Sequence, residues 1–228
     1  MSVFIISAPS GSGKSTLVNE ILKIVPGLEF SISYTTRLPR GSEQDGREYF
    51  FVSRQQFEEM LERGDFLEHA NVFGNYYGTA RRFLQDAEQN GNDLLLDIDV
   101  QGAEQIKKKL PDAVSIFVLP PDRPTLEKRL RSRSLDVEEV IQRRLVTATR
   151  EIENYSKYDY ILVNDRLDES KEALKSILLA ERKRDSGKQL SSDEENMLAK
   201  AESCRLGNIR QRLGPILDSF RNSRSVAG

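Results

Sequence analysis

The chain has 228 residues, 38% of them hydrophobic, enough for one core-bearing domain with subdomains or an appended tail and no need of staples. Its 34 Lys and Arg stand against 36 Asp and Glu, a formal charge of -2, so no global basic field directs it to nucleic acid or membrane and any anion site must be local. The single cysteine, Cys204, excludes an intramolecular disulfide. With no histidine near it in sequence, it reads as a passive helix residue.

The chain opens on an apolar run at 3–6, without the basic start or extended apolar stretch of a signal peptide. No later run approaches the roughly 20 residues of a membrane span. A soluble cytoplasmic protein is expected. The polar loop Ala8-Pro9-Ser10-Gly11-Ser12-Gly13-Lys14-Ser15-Thr16 comes next. From Lys14 to Val25, Leu17, Val18, Ile21 and Leu22 share one helical stripe, and Pro26-Gly27 stops it. Strand, glycine loop and helix in that order are the context of a P-loop. Its backbone N–H groups close around phosphate oxygens, Lys14 reaches the outer phosphates, and Ser15 can ligate Mg²⁺. Ala8 replaces the first glycine of the general pattern, while Gly13-Lys14-Ser15 is intact.

Between about 31 and 80 the texture shortens, with Tyr49-Phe50-Phe51-Val52, a helix from Arg54 to Arg63 and a break at Gly64-Asp65, as in an inserted, partly β subdomain. Here Ser33-Tyr34-Thr35-Thr36-Arg37-Leu38-Pro39-Arg40, Tyr49 and Gly74-Asn75-Tyr76-Tyr77-Gly78-Thr79 gather arginines, tyrosines and hydroxyls into a second phosphate site. Apolar runs at 94–98, 114–119 and 160–163, separated by helical patterns, predict an α/β fold around a mainly parallel sheet. The run at 94–98 ends in carboxylates, and a period of two sets Asp97 and Asp99 on one side. Ligands bind outside such strand ends, so one can hold magnesium, directly or through water, while the other faces an acceptor. Gly102 starts the next helix, where its role is open to simple close packing. His69, alone, reads as local structure.

Residues 122–155 read as two helices joined by a mobile turn near Ser134, with Arg131, Arg143 and Arg150 as a solvated face paired with Glu138, Glu139 and Glu151. A helix from Leu167 to Arg184 closes the body. Residues 185–192 are polar, and 193–220 return to helical spacing through Met197, Leu198, Ala201, Leu206, Ile209, Leu213 and Phe220, broken by Gly214-Pro215. This tail can pack on the body, self-associate into a homo-oligomer or dock a partner. Ser223 to Gly228 should fray.

These motifs in this order resemble the guanylate kinase family, in its bacterial form, over about 3–184. The resemblance implies a P-loop NTPase-type parallel sheet with helices on both faces, an acceptor-binding subdomain near 33–95, a lid near 122–155, and a helical tail at 185–228. It implies transfer of the γ-phosphate of ATP, with Mg²⁺, to GMP and to dGMP, for guanine nucleotide supply. Arg37, Arg40, Tyr49 and Tyr77 match the family's GMP-phosphate contacts, and Ser33, Glu68, Thr79 and Asp99 its guanine-reading positions. Arg129, Arg133 and Arg144 match lid residues that reach the transferring phosphates, and Asn164 a position near adenine; Ser134 replaces a glycine often found there. Lys14, Arg37, Arg133 and Arg144 would be the catalytic residues, and Ser15 with Asp97 the metal ligands. Guanine presents N1–H and N2–H₂ donors to a carboxylate such as Glu68, whereas adenine presents a bare acceptor. Two other classes stay open: a P-loop kinase with a different phosphorylated acceptor, and a non-catalytic kinase-like module that binds protein.

Overall fold

A computed structural model describes residues 1–72, 74–133, 137–183 and 191–221. Ser134, Arg184, the polar segment up to 190 and the terminal Ser223–Gly228 lie outside these residues, as does the side chain of Arg133. In chain order the elements are β1 (Val3–Ser7), α1 (Lys14–Ile24), β2 (Leu28–Phe30), β3 (Tyr34–Thr35), β4 (Phe50–Phe51), α2 (Arg54–Glu62), β5 (Phe66–Val72), β6 (Asn75–Ala80), α3 (Arg82–Asn90), β7 (Asp93–Asp97), α4 (Val100–Lys109), β8 (Val114–Leu119), α5 (Arg123–Arg133), α6 (Glu138–Ile152), β9 (Tyr160–Val163), α7 (Leu167–Lys183), α8 (Ser192–Ser203) and α9 (Leu206–Arg221). A five-stranded sheet runs β2-β7-β1-β8-β9, and a four-stranded sheet β4-β3-β6-β5. The α/β expectation holds. Every residue of β1 is buried, as are Leu94–Leu96 and Ile116–Leu119, which is why these strands read as unbroken apolar runs.

The chain divides into two compact units. The first, Met1–Ile5 with Pro26–Val114, holds the small sheet and the parallel pair β2–β7, in register from Leu28↔Asp93 to Phe30↔Leu95. Within it β5 and β6 form an antiparallel ribbon that sets Glu68 opposite Thr79, with a register shift between Phe66 and Glu68. Phe57 of α2 stacks on Phe66 and Tyr76, giving the ribbon its own small core. Helix α4 is fixed to β5 by Gln105, whose amide accepts from the His69 N–H and donates to the His69 carbonyl. The strand β7 stops at Asp97, and Asp99 serves instead as N-cap of α4, its Oδ1 accepting from the Gly102 N–H at 2.8 Å. Asp99 thus lies just beyond the strand, its backbone still extended (φ -76°, ψ 177°) and its side chain engaged in the cap.

The second unit, Ile6–Val25 with Ser115–Gly228, holds the glycine loop, α1, the parallel pair β8–β9 and the remaining helices. Arg131 pairs with Glu127 and Glu138, and Arg143 with Glu139, so both lie on a solvated, ion-paired face as expected. The tail departs from its sequence pattern. Helix α9 runs through Gly214-Pro215 without ending, and the chain breaks earlier, between α8 and α9. There Ile161 donates to the Cys204 carbonyl at 2.8 Å and Leu206 donates to the Asp159 carbonyl at 3.0 Å, so the break lies along the edge of β9. Arg205 lies over the Tyr160 ring and pairs with Glu181, which also accepts from the Tyr160 hydroxyl. Ile209, Leu213 and Phe220 are buried within this unit, so the apolar stripe of the tail is covered by the chain itself. Cys204 is buried, and burial pushes its thiol up, away from reactivity.

Candidate active site

The phosphate-loop residues lie between β1 and α1, as the sequence indicates. Gly11 and Gly13 take φ of 89° and 88°, a left-handed conformation that residues with a Cβ seldom adopt. The loop tightens through a hydrogen bond from Ser12 N–H to the Pro9 carbonyl, and Gly13, as N-cap, accepts from the Leu17 N–H. Lys14 and Ser15 are the first two residues of α1, at its positive dipole end. Leu126 and Leu130 of α5 lie against Gly11, and Asn164 lies against Gly13 and donates to the Ser12 carbonyl. Asn164, expected near adenine, is thus joined to the loop backbone. Arg129 turns inward to the carbonyls of Asn164 and Asp165, at 3.0 and 3.3 Å. Arg144 is half-buried on α6, and Arg133 closes α5.

In the other unit Glu68 is 4% exposed. Burial pushes its carboxyl up to about 7; the neighbouring Asp99 charge adds to that, while Thr79 and Lys109 oppose it. Among the described residues Thr79 Oγ1 has no partner within hydrogen-bond geometry, so we read its pull on Glu68 as that of a close dipole rather than a formed bond. The carboxylate leans over Gly102: a Cβ there would stand 3.0 Å from Glu68 Cδ and nearer still to Oε2. Gly102 therefore leaves room for the Glu68 carboxylate. Ser33, also buried, gives its carbonyl to the Phe50 N–H.

Of the residues expected to contact the GMP phosphate, Arg37 is 8% exposed and lies among aromatic rings. Its Nε donates to Tyr77 Oη at 3.2 Å, and its guanidinium lies over the rings of Tyr49 and Phe51. Tyr49 and Tyr77 meet edge to face at 5.9 Å. Burial, with the Asp97 charge next, pushes the Tyr49 phenol up to about 12, so it remains an O–H donor at neutral pH. Arg40 joins this group through its backbone N–H, which donates to Glu43, and the residue is exposed. Sequence reasoning missed Glu43. It accepts from Arg37 Nη2 through both oxygens, at 3.0 and 2.9 Å, and from the Arg40 N–H at 2.8 Å. The only signal was a carboxylate six residues after Arg37, and spacing in a loop does not announce a contact.

The family model for guanylate kinase matches residues 1–181. A guanylate kinase of Koribacter versatilis is 60% identical over 225 residues, covering 97% of each chain. That of Escherichia coli K12 is 50% identical over 185 residues, 80% of this chain and 89% of its own. The crystal structure of guanylate kinase from Anaplasma phagocytophilum superposes with a TM-score of 0.66 at 32% identity, covering 93% of both chains. By the family-model match and these identities, the chain belongs to the guanylate kinase family.

Proposed function

We propose that the chain transfers the γ-phosphate of ATP to GMP, and to dGMP, giving ADP and the guanosine diphosphate. The observation that carries the base preference is Glu68, a buried carboxylate seated over a glycine beside Thr79 and Asp99. Guanine offers it two donors, N1–H and N2–H₂, which restore the charged form that burial disfavours. Adenine offers an acceptor at the same edge, leaving a buried carboxylate unpaired at a cost of about 1–3 kcal/mol or more. Ser33, Thr79 and Asp99 read the rest of the base. Arg37, Arg40, Tyr49 and Tyr77 hold the GMP phosphate.

Phosphoryl transfer asks the protein mainly for alignment and charge neutralisation. The loop from Ala8 to Thr16 cradles the ATP phosphates and Lys14 sits on the outer ones. Arg133 and Arg144 stabilise the spread charge of the transition state. A GMP phosphate oxygen is already a nucleophile at neutral pH, so no general base is required. Ser15, an exposed hydroxyl at the start of α1, and the Asp97 carboxylate are hard oxygen donors that fit Mg²⁺. When bound with ATP, that ion neutralises phosphate oxygens. No helix among the described residues is long and apolar enough to cross a membrane. We place the reaction in the cytoplasm, which the single thiol suits.

The test is ADP release from ATP and Mg²⁺ with GMP, AMP, UMP, CMP or no acceptor. GMP-dependent turnover with AMP near background is expected. Turnover on another acceptor would remove Glu68 as base reader, and ATP binding without turnover on any acceptor would favour the binding-module reading.

A further inference from the structure

Asn164 follows β9 directly and is 5% exposed. Its backbone N–H donates to the Leu119 carbonyl at the end of β8, at 2.7 Å, which fixes the residue where two core strands finish. Its side-chain Nδ2 donates to the Ser12 carbonyl at 2.7 Å, and its own carbonyl accepts from Arg129 of α5 at 3.0 Å. A Cβ on Gly13 would fall inside van der Waals contact of that same Nδ2. The glycine thus does more than supply φ of 88°: its bare α-carbon admits the amide to the loop backbone.

A trans peptide is planar, and its C=O and N–H point in opposite directions. The Ser12 carbonyl belongs to the same peptide plane as the Gly13 N–H. Holding that carbonyl on Asn164 turns the Gly13 N–H the opposite way, as an anion-binding loop of successive N–H groups requires. If the plane flipped, a carbonyl would take the donor's place. The hydrogen bond from Ser12 N–H to Pro9 fixes the preceding plane, so the Ser12–Gly13 plane is the one that Asn164 secures.

We propose that Asn164 is a positioning residue of the phosphate loop, holding the Ser12–Gly13 peptide in its anion-binding orientation and tying it, through Arg129, to α5. This rests on the reading that the loop binds ATP, which wild-type ATP binding checks separately. The experiment compares Asn164→Ala and Asn164→Asp in the full chain, measuring ATP and GMP dissociation constants and turnover from pH 6 to 9. For Asn164→Ala we expect ATP affinity to fall about 10–100-fold, as when a buried carbonyl loses its donor. GMP affinity should stay within about twofold, since the partner of the amide, the Ser12 carbonyl, belongs to the unit that holds the glycine loop, and the Arg129 bond to the Asn164 main-chain carbonyl survives the substitution. Asn164→Asp is nearly isosteric but sets a carboxylate against the Ser12 carbonyl. At pH 9 it should bind ATP more weakly than Asn164→Ala, and it should recover toward wild type as the pH falls and the acid regains an O–H donor. The wild type carries no such titration at this position. Unchanged ATP affinity in Asn164→Ala would overturn the proposal. So would equal loss of ATP and GMP, which marks general unfolding, or an Asn164→Asp variant with the pH profile of wild type.

Discussion

Gly102→Ala tests the seat of Glu68, the carboxylate proposed to read the base. Gly102 is the third residue of α4. Alanine in a helix is favoured over glycine by about 0.8–1.0 kcal/mol, so the substitution should not unfold the helix by its own propensity. Its Cβ would nevertheless meet Glu68, 3.0 Å from Cδ and closer to Oε2, with Ile98 Cβ behind it at 3.4 Å. Glu68 must then move, and guanine loses at least one hydrogen bond to a charged group, about 1.5–3 kcal/mol. At about 1.4 kcal/mol per factor of ten, the KM for GMP should rise roughly 10- to 150-fold. The KM for ATP should not change. Steady-state kinetics with each substrate varied in turn give both numbers, and the ratio of GMP to AMP turnover should fall alongside. The Glu68→Asp change added to Gly102→Ala pulls the carboxylate back from the new methyl, and should recover part of the GMP affinity. A Gly102→Ala enzyme with wild-type KM for GMP would refute the reasoning. A variant that lost KM for both substrates together would show packing damage, not a displaced base reader.

Three further outcomes can be checked. Because burial raises the Glu68 carboxyl to about 7, the free protein is protonated there below that pH; GMP affinity should weaken as pH falls through 7 and level off above it. Glu68→Gln removes that step while keeping the phosphate's own second ionisation near pH ~6, so titrations of the two proteins should differ in this window, and identical profiles would reject the assignment. The same shift means that ionised Glu68 costs folding stability, from its unfolded value of 4.5 up to about 7, so Glu68→Gln should raise Tm more at pH 8 than at pH 4. Glu43→Ala unpins Arg37 and frees the Arg40 N–H. Losing such a charge-assisted bond, about 1.5–3 kcal/mol, should outweigh the gain in local positive charge and raise the KM for GMP tenfold or more. A lower KM would mean that Glu43 competes with the phosphate instead of placing its receptor.

What the sequence made legible were features whose signal is local. An apolar run flanked by a glycine loop and a helical stripe locates β1, the loop and α1 to within a residue, because both faces of the strand are buried and the loop needs its special dihedrals. Glu68 and Thr79 entered together, as guanine-reading positions that the family resemblance implies. Only the β5–β6 register, with its shift before Glu68, sets them opposite each other, and antiparallel register is a tertiary fact. The capping bond of Asp99 was not legible either, since a capping aspartate and a strand aspartate look alike until the strand's end is known. Glu43 and the Asn164 side chain were out of reach for a related reason. Their partners lie six residues away across an irregular loop and 152 residues away across the fold, and neither distance leaves a trace in spacing.

The tail is where a local rule was correct and still lost. Proline inside a helix costs about 3 kcal/mol, so Gly214-Pro215 read as a break. Yet α9 continues, because Ile209, Leu213, Ile216, Leu217 and Phe220 lie on one face and all are buried. At about 1.5–3 kcal/mol for each such side chain, their burial outweighs the proline several times over. That sum is also of the order of a whole domain's stability, about 5–15 kcal/mol. Deleting 193–228 would uncover that face, unpair Ile161 from Cys204 at the edge of β9, and strip Arg205 from Tyr160 and Glu181. The shortened chain should therefore lose its cooperative thermal transition or aggregate, with the loss of ATP binding following from loss of fold. A truncated protein that melts as the full chain does, with its kinetics unchanged, would show that the tail rests on the body without supporting it.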